Sequence, residues 1–404
     1  MQISNSALPF STTCPACGLL CDDITVETDH HQTRIAANSP AKNCTKSIAF
    51  FEQALGVNTP QIAGKPATLQ AAILKAAEIL RQAHKPIFTG LGTDVQGYRA
   101  LYQLSQKINA SLSHMNAASM TRNLKVLQST GWQTTTLTEV KNRADVIVCI
   151  GSDIVAHNTR FYERFVELDG MFIEAKNRQV IVLGEASNHD FIKSDAMQAA
   201  WILPCRANDL PSVTMALRAL VAGKQLKVSE IAGIQVSDLQ ALADKLKAAK
   251  YAVLAWIAKD LDYPHAELTI QNITETVAVL NKTTRAAGLP LGGSDGDTSA
   301  NNVHTWLSGL ALDDEQIEYD AMLWVNSFSP EKAPPKTDKP LIIIGNANIK
   351  HQADIFIPVA TPGLDCSGTL FRVDSSVVLP LKKIRENNLP TLTDVIRQIE
   401  AHLQ

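Results

Sequence analysis

The sequence predicts an α/β protein that opens with a small cysteine-cluster domain and continues into two parallel-sheet layers. Three observations lead there. Of seven cysteines, four (Cys14, Cys17, Cys21 and Cys44) fall in the first 44 residues of the 404-residue chain. Further on, short unbroken runs of Val, Ile and Leu end in Gly, Asn or Asp, as buried parallel strands do when helices cover both faces. Between those runs lie segments with helical apolar spacing. A chain this long exceeds the size at which a single core stops growing, so several structural units are expected.

Taken in order, residues 1–57 form the cysteine domain. It holds β-like runs at Ile24 to Glu27 and Arg34 to Ala37 and a helical start at Lys46 to Leu55. Pro60 and the Gly64-Lys65-Pro66 turn close it. Residues 58–205 make the first α/β layer: a helix from Thr68, then strands at Pro86 to Thr89, Val146 to Ile150, Val180 to Leu183 and Trp201 to Leu203. Residues 206–360 make the second, with helices at Leu239 to Ala249 and Ala266 to Asn281. Its strands are Ala252 to Ile257, Met322 to Val325, Leu341 to Ile344 and Ile355 to Pro358. Residues 361–404 return to the core, and Glu331 to Lys339 reads as a surface loop.

Composition narrows the function. Hydrophobic residues make up 45% and charged residues 19%, with a net charge of -3. The pI near 6.4 leaves no basic field for nucleic acid or an anionic membrane. No 18-residue apolar run and no signal-peptide pattern occur, so a cytoplasmic protein is expected.

The cysteines are spaced Cys14-x2-Cys17-x3-Cys21, with Cys44 after 22 more residues. Three thiolates on a tight loop and a fourth from a distant turn suit a 4Fe–4S cluster. Zinc more often takes two C-x2-C pairs, and four incidental buried thiols are the plain alternative. Gly92, Gly151, Gly184 and Gly345 sit at strand ends, where they could line a ligand cleft or simply make turns. The run Gly90-Leu-Gly-Thr-Asp94 could cradle a phosphate or be one such turn. His157 with Arg160, Glu163 and Arg164 reads better as a solvated charged face than as a catalytic group, and His189, His304 and His351 as structural histidines. The segment GLPLGGSDGD, residues 288–297, reads as a flexible acidic loop.

Several of these segments carry a resemblance. Cys14-Pro-Ala-Cys-Gly-Leu-Leu-Cys-Asp-Asp-Ile24 resembles the start of the B subunit of formylmethanofuran dehydrogenase, a molybdopterin-type oxidoreductase. Thr136-Leu-Thr-Glu-Val-Lys-Asn-Arg-Ala-Asp145, His157-Asn-Thr-Arg160 and Gly368-Thr-Leu-Phe-Arg-Val-Asp374 are similar to later landmarks of that family, in the same order. The resemblance implies two Rossmann-like domains after the cysteine domain, with a tungsten or molybdenum pterin between them in active members. It makes Gly92, Gly151, Gly184, Gly345 and Arg372 the candidates for a vestigial pterin cleft.

Active members anchor the metal through a Cys-His-Gly-Pro type motif upstream of the E-V-K-N-R-A-D string, where this chain has Ser119 and Met120. They also carry a Leu-Arg-Gly-His type loop, where this chain has Leu291-Gly292-Gly293-Ser294. A serine hydroxyl is a poor ligand for a soft redox metal. The pattern is similar to the B subunit of the bacterial formyltransferase/hydrolase complex of methylotrophs. It implies a redox-inactive subunit in one-carbon metabolism (formaldehyde oxidation to formate on a methanofuran-like carrier), partnered by A-, C- and D-type subunits. No tungsten or molybdenum pterin is then expected, and no catalytic residue. An active dehydrogenase using Ser119 as an oxygen ligand, and an electron-relay subunit using only the four cysteines, are the alternatives.

Overall fold

We describe a computed structural model covering residues 10–29, 32–185, 200–312 and 318–403. Its strands are short and apolar, and several are buried along their whole length, including Val146–Ile150, Ala252–Trp256 and Leu341–Asn346. Ile342, Ile343 and Ile344 are fully buried, each contributing about 1.5–3 kcal/mol of apolar transfer free energy. Several helices start where a side chain satisfies one of their first free N–H groups. Thr68, Asp94, Thr136 and Thr391 each accept a bond from the backbone N–H three residues on.

The chain folds as two compact units, one of residues 1–117 with 293–404, the other of residues 118–292. The first carries a seven-stranded sheet in the order Lys65–Pro66, Gln61–Ile62, Ile355–Val359, Leu341–Asn346, Ala321–Asn326, Pro86–Gly92, Ser111–His114. Its five longer strands run parallel, and the Gln61–Ile62 and Lys65–Pro66 pair adds an antiparallel edge. A three-stranded antiparallel sheet, Phe10–Thr12, Ile24–Thr28 and Thr33–Ile35, belongs to the same unit. So does the hairpin Gly368–Phe371 with Val378–Leu381. The second unit carries a five-stranded, all-parallel sheet in the order Trp201–Pro204, Gln179–Gly184, Val146–Ile150, Ala252–Trp256, Ala286–Pro290.

The protein is therefore a mixed α/β fold built on parallel sheets. The strands are distributed differently from the expected 58–205 and 206–360 layers, because each main sheet draws on both stretches. The reason is topological: parallel neighbours are joined by crossovers, and a crossover is free to leave one sheet and return many residues later. Residues 1–57 likewise pack within the larger unit rather than forming a compact unit of their own. Among the described residues, no helix is long and apolar enough to cross a membrane.

Each main sheet reverses its strand order once, which opens a crevice at the carboxyl ends of the two strands flanking the reversal. In the larger unit the reversal lies between Pro86–Gly92 and Ala321–Asn326; in the smaller it lies between Val146–Ile150 and Ala252–Trp256.

Candidate functional site

All four cysteines belong to the larger unit. The backbone N–H of Cys14 donates to Cys21 O at 2.8 Å, which closes the loop between them, and Leu20 makes the reversal with a φ of 45°. Cys44 occupies the N-cap of the helix Thr45–Phe51, and Ser47 on that helix lies 3.3 Å from the Cys14 sulfur. Gly18 donates to Gly293 O, and its own carbonyl accepts from Val373 N. A Cβ on Gly293 would stand 2.9 Å from Gly18 Cα, so this approach requires glycine.

Cys14, Cys21 and Cys44 are buried, Cys17 partly so. Burial, chiefly, pushes the Cys14 thiol far up, with Cys21 and Cys17 adding repulsion. Cys17 is pushed up to about 12, again by burial first and then by Cys21, with a smaller contribution from Cys44. Among the described residues, no three His, Cys, Asp or Glu side chains are gathered tightly enough to hold one metal ion.

At the crevice of the larger unit, the expected flexible acidic loop is tied down. Asp295 is buried and pairs with Lys332, and it accepts a bond from Ser329 Oγ. Burial alone would raise the Asp295 pKa, but the Lys332 charge and the bonds from Lys332, Ser329 and Ser294 outweigh it and lower it. Asn116 Nδ2 donates to Ser294 Oγ at 3.2 Å and to Asp297 at 3.0 Å, and Lys332 also reaches Ser294. His114 is buried beside this group and accepts from Asn116 N at 3.0 Å; burial lowers its pKa. Ser294 is thus a hydrogen-bonding member of an ion-paired network.

The remaining candidates of this unit have structural occupations. Gly90 and Leu91 adopt left-handed backbone, and Asp94 then caps the helix Val95–Ile108 with its own carboxylate. That carboxylate fills the place a phosphate would take, which favours the turn reading. A Cβ on Gly92 would meet the Asn326 side chain at 2.8 Å, and one on Gly345 would meet Asn326 O at 2.4 Å. Arg372 makes a two-pronged bond to Asp374 at 3.0 and 2.8 Å, bracing the hairpin turn. His304 bonds Tyr98 OH at 3.0 Å and is structural, as expected, whereas His351 is exposed. His189 lies outside the described residues.

In the smaller unit, Ser119 and Met120 stand in the first turn of the helix Ala117–Ser129, on a backbone that offers no thiolate. Gly292 has a φ of 106° and is clamped by Asn158 from both sides. Asn158 Nδ2 donates to Gly292 O and Gly292 N donates to Asn158 Oδ1, both at 2.8 Å, and Asn158 is fully buried. Sequence reasoning missed this clamp, although Asn158 lies within the His157-Asn-Thr-Arg160 motif.

At the crevice of this unit, His157 Nε2 lies 2.7 Å from Asp260, which also accepts from Asp153 N at 3.1 Å. Ser152 Oγ accepts from Ile257 N at 2.8 Å and bridges the two strand ends. Arg160 departs from the expected solvated face: it is 4% exposed and grips Glu163 through two nitrogens. Gly151 and Gly184 pass each other closely, since a Cβ on Gly184 would stand 3.2 Å from Gly151 Cα. Packing thus accounts for these glycines too.

No family model matches the chain. It is 26% identical to the B subunit of the tungsten-containing formylmethanofuran dehydrogenase 2 of Methanocaldococcus jannaschii, over 92% of both chains. The chain is thus similar along most of its length to formylmethanofuran dehydrogenase B subunits. A second such subunit, from Methanococcus maripaludis, is 24% identical over the same share of each chain. The B subunit of the formyltransferase/hydrolase complex Fhc of Methylorubrum extorquens is 25% identical over 78% of this chain and 89% of that one. In fold, the chain is similar to one in the crystal structure of the FhcABCD complex from Methylorubrum extorquens with methylofuran. The TM-score is 0.68 at 24% identity, over 85% of this chain and 98% of that one. That likeness concerns the fold.

Proposed function

We propose that this chain is a redox-inactive B subunit of a formyltransferase/hydrolase-type complex, working in one-carbon metabolism with A-, C- and D-type partners. The observation that carries the reading is the pairing of a dehydrogenase-like fold with Ser119, Met120, Gly292 and Ser294 at the positions that resemble the metal anchor. A hydroxyl, a thioether and two residues committed to hydrogen bonds supply no thiolate for tungsten or molybdenum. Those residues do not fit a metal-pterin, and no redox step is assigned to them. Their spacing makes Cys14, Cys17, Cys21 and Cys44 the residues that would hold an iron–sulfur cluster. Similarity over 78% of this chain to a subunit named for the Fhc complex supports the choice of partners.

The test is co-expression of the full chain with its A-, C- and D-type subunits. A stable assembly that releases formate from a formylated carrier, with no reduction of an added electron acceptor, is the expected result. Acceptor reduction that depends on this chain would instead support an active dehydrogenase with Ser119 as ligand. Electron transfer that depends on the cysteines alone would support a relay.

A further inference from the structure

The E-V-K-N-R-A-D string, residues 139–145, has no part in the cysteine corner or in either crevice. Its structural work lies elsewhere in the smaller unit, where it builds a platform for the loop at 166–173. Arg178 is 6% exposed and bonds to four backbone carbonyls: Ala144 at 3.2 Å, Leu168 at 2.6 Å, and also Val166 and Lys141. Two of those carbonyls belong to the string and two to the loop, so one buried guanidinium rivets them together. Asn142 accepts from Met171 N at 3.2 Å through its side chain and from Phe172 N at 3.1 Å through its backbone. Gly170 N donates to Ile173 O at 2.8 Å, and a Cβ on Gly170 would overlap Lys141 O at 2.1 Å. The Arg143 guanidinium lies over the Phe172 ring at 4.2 Å and pairs with Glu139.

This framework holds apolar side chains outward. Met171 is 78% exposed, Phe172 62% and Leu168 46%. Backbone bonds have fixed the loop in advance, so a binding partner would lose little entropy in ordering it. An aromatic with a neighbouring Met and a stacked Arg is the side-chain set enriched at interface centres.

We propose that this tip is a preformed docking knob that seats in an apolar socket on another subunit of the complex, an inference that rests on the complex-subunit reading above. Area decides between that occupant and a second copy. The three side chains offer roughly 400 Å² of apolar surface, against about 800 Å² per partner in a stable two-protein interface. The tip is too small to sustain a symmetric dimer alone, yet it suffices as one anchor in an assembly with several contacts. The flanking charges are mixed, with Asp169 exposed and Glu174 paired to Lys176 at 2.7 Å, so no basic patch marks the tip for an anionic lipid surface.

The test uses the full chain, with the Met171→Ser, Phe172→Ser double variant, co-expressed with the A-, C- and D-type subunits. The double variant should keep its Tm within about 2 °C, because the altered side chains are exposed. It should lose at least about tenfold in affinity for the other subunits, while Phe172→Leu stays within about threefold of wild type. Assembly of the double variant at wild-type affinity would overturn the knob. So would self-association of the isolated chain, or its binding to phosphatidylserine vesicles, if either depends on Phe172. Should the wild-type chain itself fail to assemble, the complex-subunit reading falls and takes the knob with it. If the wild type assembles and the double variant assembles equally well, the knob alone falls.

Discussion

The cysteine corner and the loop at 291–294 both resemble metal-holding segments of the same family, and their residues differ in opposite ways. The corner carries four soft donors, Cys14, Cys21 and Cys44 buried and Cys17 half-buried. The loop has no donor of that kind, and protein groups hold its shape instead. Asn158 grips Gly292 from both sides, while Asn116 and Lys332 take Ser294. A loop fixed by side chains no longer needs a metal to order it. Loss of redox chemistry is then compatible with retention of the fold, and the two segments can change independently.

Substitutions can test this contrast, and the largest effect is expected at the corner. Anaerobically purified chain should contain iron and sulfide, and Cys14→Ser with Cys17→Ser should abolish both, as read by elemental analysis and visible absorbance. Retention of the iron after that change would separate the metal from these cysteines.

At the loop, Asn158→Ala leaves two buried backbone groups of Gly292 unsatisfied and should cost roughly 2–4 kcal/mol in urea unfolding. A loss below about 1 kcal/mol would mean that water or a neighbour replaces the clamp.

Asp295→Asn should cost roughly 2 kcal/mol at neutral pH, a figure kept modest because Lys332 is 31% exposed. The sign follows from the depressed folded-state pKa of Asp295. Its stabilisation is fully present above the unfolded value of about 3.9 and is lost as pH falls through the folded one. Wild type and variant should therefore converge in acid, and a stability gap that persists there would contradict the pairing. Arg372→Ala should have the smallest effect, about 1 kcal/mol, because Ser376 N and Oγ still donate to the buried Asp374 carboxylate.

The parallel strands were legible because a strand buried on both faces must be apolar at every position, as in Val146–Ile150. Ser111–His114 was not, since only His114 of its four residues is fully buried. Ala286–Pro290 was hidden by its small residues: Gly288 is glycine because a Cβ there would meet the Trp256 ring at 2.9 Å. Sheet membership was illegible for a different reason. Adjacent strands such as Pro86–Gly92 and Ala321–Asn326 are joined only in the folded chain.

The same holds for the sites. Cysteine spacing announces itself locally, whereas Lys332 sits in a stretch that reads as a surface loop, and its partner Asp295 lies 37 positions away. Asn158 falls within a recognisable motif, but a side chain that binds backbone 134 residues distant leaves no pattern at short range.

The proposal stands or falls on whether this subunit has lost the redox metal while keeping the fold built around it. Metal analysis of the intact complex, purified without oxygen, answers that question. No stoichiometric tungsten or molybdenum is expected, whatever the iron content; one tungsten or molybdenum per copy of this chain would contradict the proposal.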